Sequence, residues 1–304
     1  MGADSNASWK DTRESNAYDV QMPIAALLFI AGSAAAHAAW NIRLKGTGDP
    51  ETAANLAVIT PGLIAGALVF GAWGVGLVHV TPFAAALGVA AGVAELAYFM
   101  SLARAYAGAP ISVVYPIVRG INPLVAVAIG TLLLSEQLIG SQPWGVVLII
   151  LGLIALRPPW QGLRQGISGT ALLFAMAAGV LSAGGSAIER LGVLEAGPLP
   201  FLGITWGVTG LLYLGVAQRK GLVWKTTPNL ALTGSLIIGG HLLVMAAFAV
   251  APLSVVVPLR ESAILLVSGW GLLRAREASS AAQIALRASG AVAIVAGAVL
   301  IALG

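Results

Sequence analysis

Two residues of opposite charge stand at matching points of a stretch that the chain uses twice. Residues Ala109 to Pro116 read A-P-I-S-V-V-Y-P and residues Ala251 to Pro258 read A-P-L-S-V-V-V-P, identical at six of eight positions. The first copy runs on to Arg119, the second to Arg260 and Glu261. At about 1.5 Å per residue, Arg119 and Glu261 lie roughly 13 Å into helices that open at the leading prolines. A charge that deep in an apolar helix is costly unless it faces a partner or water, so it marks a candidate site. Arg119 suits a carboxylate or phosphate, and Glu261 suits an ammonium. The competing expectation is a mutual salt bridge that satisfies both and touches no ligand. Arg260 either pairs with a carboxylate elsewhere or snorkels toward an interface.

Further polar groups interrupt other apolar runs. Glu95 has Tyr98 and Phe99 three and four positions on, hence on one helical face. A lone carboxyl group at membrane depth is suited to carrying protons. His37, Trp40 and Asn41 share a face in the first run, and Ser182 and Ser186 occupy the matching face of the sixth. His241 sits in the middle of the eighth. Each of these equally suits a packed hydrogen-bonding role. Trp206, with Trp40, Tyr98 and Tyr115, offers an aromatic wall for flat or cationic molecules, against ordinary packing as the alternative. Trp73, Trp144, Trp160 and Trp224 read as an interfacial belt. Pro116, Pro123 and Pro258 fall inside helical runs. Each frees the carbonyl four residues back (Ser112, Arg119 and Ser254) and is expected to kink its helix. No H-x-x-x-H or comparable ligand spacing occurs, so neither a metal nor a cofactor is expected.

The elements that must hold these residues are membrane helices. Of 304 residues, 58% are hydrophobic and 9% charged, with a mean hydropathy of +0.92. Soluble domains carry about 25% charged residues. The 38 glycines suit close helix packing in lipid. There is no cysteine, which excludes disulfides and thiolate sites. The net charge of +4 is spread over short loops, an arrangement of membrane topology and not of nucleic-acid binding.

Ten apolar runs follow a polar segment at residues 1–21, which reads as a disordered tail. They are Pro23–Ile42, Ala53–Trp73, Pro82–Leu102, Ile111–Leu134 and Pro143–Leu156, then Ile167–Ile188, Leu199–Ala217, Leu230–Val250, Leu253–Leu273 and Ile284–Leu303. An all-α fold follows, because backbone in lipid must satisfy its own hydrogen bonds. The duplication extends beyond the opening motif. Ala26-Leu27-Leu28-Phe29 recurs as Ala171-Leu172-Leu173-Phe174, Gly145 and Gly152 recur as Gly290 and Gly297, and Glu136 recurs as Glu277. The chain therefore divides into a repeat at 22–157, a linker at 158–166 and a repeat at 167–304. Five helices is an odd number, so the second repeat enters the membrane from the other side. Such inverted repeats are a transporter arrangement, with the substrate site at mid-membrane between them.

Basic residues accord with that inversion. Arg43, Lys45, Arg104, Arg157, Arg164, Arg219, Lys220, Lys225, Arg274 and Arg276 are expected in loops on one side, and only Lys10, Arg13 and Arg190 on the other. The positive-inside rule then places both termini outside the cytoplasm.

The two-times-five layout, the paired A-P-x-S-V-V-x-P motifs, and the acidic residue after runs 4 and 9 resemble the drug/metabolite transporter superfamily. More narrowly, the chain is similar to its ten-helix EamA-type family, named for amino-acid and metabolite exporters. The run H-A-A-W-N-I-R-L-K, His37 to Lys45, resembles a first-helix pattern in one branch. The resemblance covers Pro23 to Gly304. It implies a secondary exporter of small polar or amphipathic metabolites such as amino acids, working by alternating access in a bacterial inner membrane. It also implies lipid as a partner and a monomer or homodimer, while the titratable groups at membrane depth, Glu95, His241 and Glu261, make protons candidate coupling ions. Arg119, Arg260 and Glu261 depart from the general family pattern and so report on this chain's own cargo. A second expectation is a pocket for quaternary-ammonium or drug cations. An enzyme is not expected: there is no cysteine nucleophile, no H-E-x-x-H and no G-x-S-x-G, the nearest run being Gly184-Gly185-Ser186.

Overall fold

The computed structural model describes residues 23–44, 50–156, 167–222, 227–261 and 281–303. Over these the chain forms α-helices and no strand: α1 (Ile24–Leu44), α2 (Pro50–Gly74), α3 (Pro82–Gly108), α4 (Ile111–Ala128), α5 (Gln142–Leu156), α6 (Gly169–Ala196), α7 (Pro198–Arg219), α8 (Pro228–Val250), α9 (Leu253–Glu261) and α10 (Ala281–Leu303). A single π-helical turn, Ile129–Leu133, extends α4.

Seven helices among the described residues are long and apolar enough to cross a membrane. That is fewer than the ten runs predict. α5 has 15 residues, about 22 Å at helical rise, against a hydrocarbon core of about 30 Å. The apolar part of α10 covers Ala288–Leu303, and α9 is described only as far as Glu261. The protein is a helical, multi-pass membrane protein. Its surface agrees, since Leu68, Phe70 and Leu132 are largely exposed, as suits contact with lipid. Trp73 and Trp144 are also exposed near helix ends, as an interfacial belt requires. The expected tail, the linker at 158–166, the continuation to Leu273, Lys45, Arg157, Trp160, Arg164, Trp224, Lys225, Arg274, Arg276 and Glu277 lie outside the described residues.

Several helices outrun the sequence reading. α3 continues through the alanine-rich stretch to Gly108, so Arg104 is inside the helix, with its guanidinium 5.2 Å from the Phe174 ring. α6 continues to Ala196 and takes Arg190 with it. Arg43 belongs to the last turn of α1 and donates to Asn229 Oδ1 at 2.6 Å. These three arginines are helix residues with partners, not loop charges.

Packing is set by glycine. A Cβ on Gly145 would lie 2.6 Å from the Gly297 carbonyl oxygen, and one on Gly297 would lie 2.5 Å from that of Gly145. Gly152 and Gly290 meet in the same reciprocal way. The pairing runs up one helix and down the other, so α5 and α10 cross antiparallel with backbone against backbone. α1 and α8 are also antiparallel: Gly32 approaches Leu243, whereas Gly240 approaches Ala36.

Contacts follow an exchange of the two halves. α3 packs on α6 as α8 packs on α1, and α3 packs on α7 as α8 packs on α2. α4 packs on α6 as α9 packs on α1, while α2–α7, α4–α9 and α5–α10 pair with one another. Burial agrees at the recurring tetrapeptide. Ala26 and Ala171 are both buried, while Leu28 and Leu173 are exposed at 66% and 65%.

Candidate functional site

A cavity of about 590 Å³ opens among the helices of both halves. From the first half it takes His37 and Trp40 on α1, Glu95 and Tyr98 on α3, and Tyr115 and Arg119 on α4. From the second half it takes Ser182 and Ser186 on α6, Trp206 on α7, His241 on α8 and Glu261 on α9. Every candidate side chain predicted from sequence lines this space except that of Asn41, which lies outside the described set.

Arg119 and Glu261 face each other. Arg119 Nη1 donates to both carboxylate oxygens of Glu261, each at 2.9 Å. Asn122 Nδ2 donates to Glu261 Oε1 at 3.0 Å. The Glu261 side chain is 2% exposed and that of Arg119 22%, and the Arg119 guanidinium stands 5.1 Å from the Tyr115 ring centre. The expected mutual salt bridge is therefore present, between two residues that both line the cavity. The two residues stand at matching positions of the duplicated sequence motif.

A second polar pair stands in the same cavity. His241 Nε2 is 2.7 Å from Glu189 Oε1. Trp206, 3% exposed, meets the His241 ring edge-on at 5.2 Å. His37 and Trp40 form a similar edge contact at 4.8 Å, and Tyr98 stacks edge-on with Phe99 at 4.9 Å. Glu95 and Arg260 also line the cavity.

The prolines lie inside their helices as predicted, Pro116 and Pro123 in α4 and Pro258 in α9. Ser254, whose carbonyl Pro258 frees, has a buried hydroxyl with no hydrogen-bond partner among the described residues.

Beyond the cavity, Glu136 organises the start of α9. Ser135 adopts a left-handed φ of 56° just after the π-turn, a conformation that costs a non-glycine residue about 1–2 kcal/mol. The turn is closed by Glu136 N–H donating to Gly130 O at 2.9 Å. Its carboxylate then accepts the Leu253 and Ser254 amides at 2.7 and 2.9 Å. These are amides that a helix N-terminus otherwise leaves unpaired, and the helix dipole adds to the attraction. Arg190 completes the cluster, with Nε 3.8 Å from Glu136 Oε1 and Nη1 donating to the carbonyl of Phe248. A Cβ on Gly130 would press on the Glu136 carboxylate and lie 3.0 Å from Ser254 Cβ.

Sequence reasoning missed Glu189 and Asn122, and took Glu136 only as a repeat marker. Two of the three carried a signal. Glu189 continues the Ser182, Ser186 face by three residues, and Asn122 stands three residues beyond Arg119.

No family model matches the chain, and no curated protein matches it. A solved structure described only as "Crystal structure of protein" is similar, with a TM-score of 0.69 at 18% identity. The likeness covers 92% of this chain and 98% of that one, and is one of fold.

Proposed function

We propose that the chain is a secondary transporter of small polar or amphipathic metabolites, built as two inverted five-helix repeats. We place it in the EamA-type branch of the drug/metabolite transporter superfamily, as an exporter of a bacterial inner membrane. The observation that carries this reading is the cavity: a space of about 590 Å³, lined by charged and aromatic side chains drawn from both halves of a helical membrane protein. Pockets of about 300–1,000 Å³ suit single metabolites, and charge at membrane depth is retained where it serves passage. The antiparallel α5–α10 crossing and the exchange-related contacts support the inverted repeat.

The geometry supports alternating access. The cavity reaches Leu44, Asn55 and Tyr106, at the end where Arg43 of α1 meets Asn229 at the start of α8. At the far end of α8, Glu136, Arg190 and the Phe248 carbonyl tie α6, α8 and α9 together. The cavity lining extends to the first end, and the second is held by these contacts. The first end carries Arg43, Arg104, Arg219 and Lys220, so the positive-inside rule makes it cytoplasmic. Rocking of one repeat against the other would break the Glu136 latch and close the basic end. Glu95, His241 and Glu261 are the candidate proton carriers.

The test is flux. Protein reconstituted in sealed vesicles is expected to move radiolabelled amino acids, with a rate that responds to an imposed pH gradient. No flux of any small polar metabolite would overturn the reading, and flux indifferent to the gradient would remove the proton coupling alone.

A further inference from the structure

Resting on that reading of the cavity, we infer that Glu95 on α3 and Arg260 on α9 are the pair that holds the cargo, and that the cargo is a zwitterion, with an ammonium and a carboxylate on one small skeleton. Five carboxylate and guanidinium side chains line the cavity: Glu95, Arg119, Glu189, Arg260 and Glu261. Arg119 and Glu261 bind each other. Glu189 binds His241. Glu95 and Arg260 remain, and neither makes a hydrogen bond or ion pair to a described residue, although Glu95 lies within range of the charges of His241, Glu189 and Arg260.

An uncommitted charge away from bulk water is expensive. Two of opposite sign in one cavity are tolerated when water fills the space and a ligand of complementary charge displaces it. Arg260 and Glu261 are neighbours on one helix and point about 100° apart. Glu261 turns to Arg119, which leaves Arg260 on a separate part of the wall. A monocation would meet Glu95 but strand Arg260 beside a like charge. A monoanion would do the reverse. A zwitterion satisfies both, and Tyr98, one turn from Glu95, lines the same cavity and is a ring type that suits an ammonium. The quaternary-ammonium reading leaves Arg260 without a partner among the described residues.

The experiment compares L-phenylalanine, phenethylamine and 3-phenylpropanoate, which share a skeleton and differ in charge, by calorimetry on the protein in lipid nanodiscs. Phenylalanine is expected to bind about tenfold or more tighter than either single-charge analogue, because each analogue leaves one group unpaired. Glu95→Gln should weaken phenylalanine and phenethylamine by about tenfold and spare 3-phenylpropanoate. Arg260→Gln should weaken phenylalanine and 3-phenylpropanoate and spare phenethylamine. If a variant fails to fold, the wild-type ranking decides alone. Equal affinity for the three probes, no binding of any, or a variant that weakens amine and acid alike overturns the assignment. Charge-selective binding without vesicle flux would sink the transport reading and leave the pair standing, and flux without charge selection would do the opposite.

Discussion

Arg119 and Glu261, 142 residues apart in the chain, share two hydrogen bonds of 2.9 Å. They occupy equivalent positions of the duplicated motif, so this contact joins one copy to the other and fixes α4 against α9. With Asn122 also on the Glu261 carboxylate, a residue that is 3% exposed is held by two donors from α4.

Breaking this pair from one side should be far worse than removing it. Arg119→Ala and Glu261→Ala each leave a buried charge alone, and each is expected to cost about 3–5 kcal/mol. Arg119→Met with Glu261→Leu should recover much of that loss. Thermal unfolding of the four proteins in detergent measures the coupling, and additive losses would show that the pair contributes no interaction.

Asn122 provides a finer probe. Asn122→Leu removes one donor to a carboxylate, an interaction worth about 1.5–3 kcal/mol. Asn122→Asp keeps the shape but sets a second carboxyl group against Glu261, so its melting temperature should fall below that of the leucine variant. The reverse order would show that Asn122 acts by shape.

The Glu136 latch is open to labelling, because the chain has no cysteine of its own. A lone Ser182→Cys in the cavity wall should react with an impermeant maleimide from the basic side only. Adding Glu136→Gln removes the negative charge that holds the α9 amides and Arg190, and reactivity from the opposite side should rise several-fold. Unchanged sidedness would show that Glu136 is a static cap worth only about 0.5–2 kcal/mol of stability.

The glycine contacts predict a sharp contrast. Gly152→Ala and Gly297→Ala push a methyl into the opposing backbone and should each cost about 1–3 kcal/mol. Gly239→Ala, with nothing within 4 Å of its added Cβ, should leave the melting temperature unchanged or raise it. Equal melting temperatures for all three would mean that α5 and α10 are not in contact.

Much of the site was legible because lipid makes polarity rare. Glu95, His37, His241 and Arg119 stand out against alanine, leucine and glycine, and all of them reach the cavity. The motif duplication placed Arg119 opposite Glu261 before any coordinate did. What stayed hidden were partners, since hydrogen-bond pairing depends on how helices turn about their axes. Glu189 at a helix interior and Asn122 beside a proline gave no spacing that points to His241 or to Glu261. Helix ends were hidden too. The alanine-rich stretch after Leu102 and the segment Glu189–Ala196 remain helical because neighbouring helices cover them, and composition alone does not register that cover.

The α5–α10 crossing has a mechanical consequence. Where main chains touch with no side chains between them, no cushion can shear, and a slide of even an ångström would drive carbonyl oxygens into glycine Cα atoms. This joint is thus a fulcrum: α5 and α10 can pivot about their glycine contacts but cannot slide along each other.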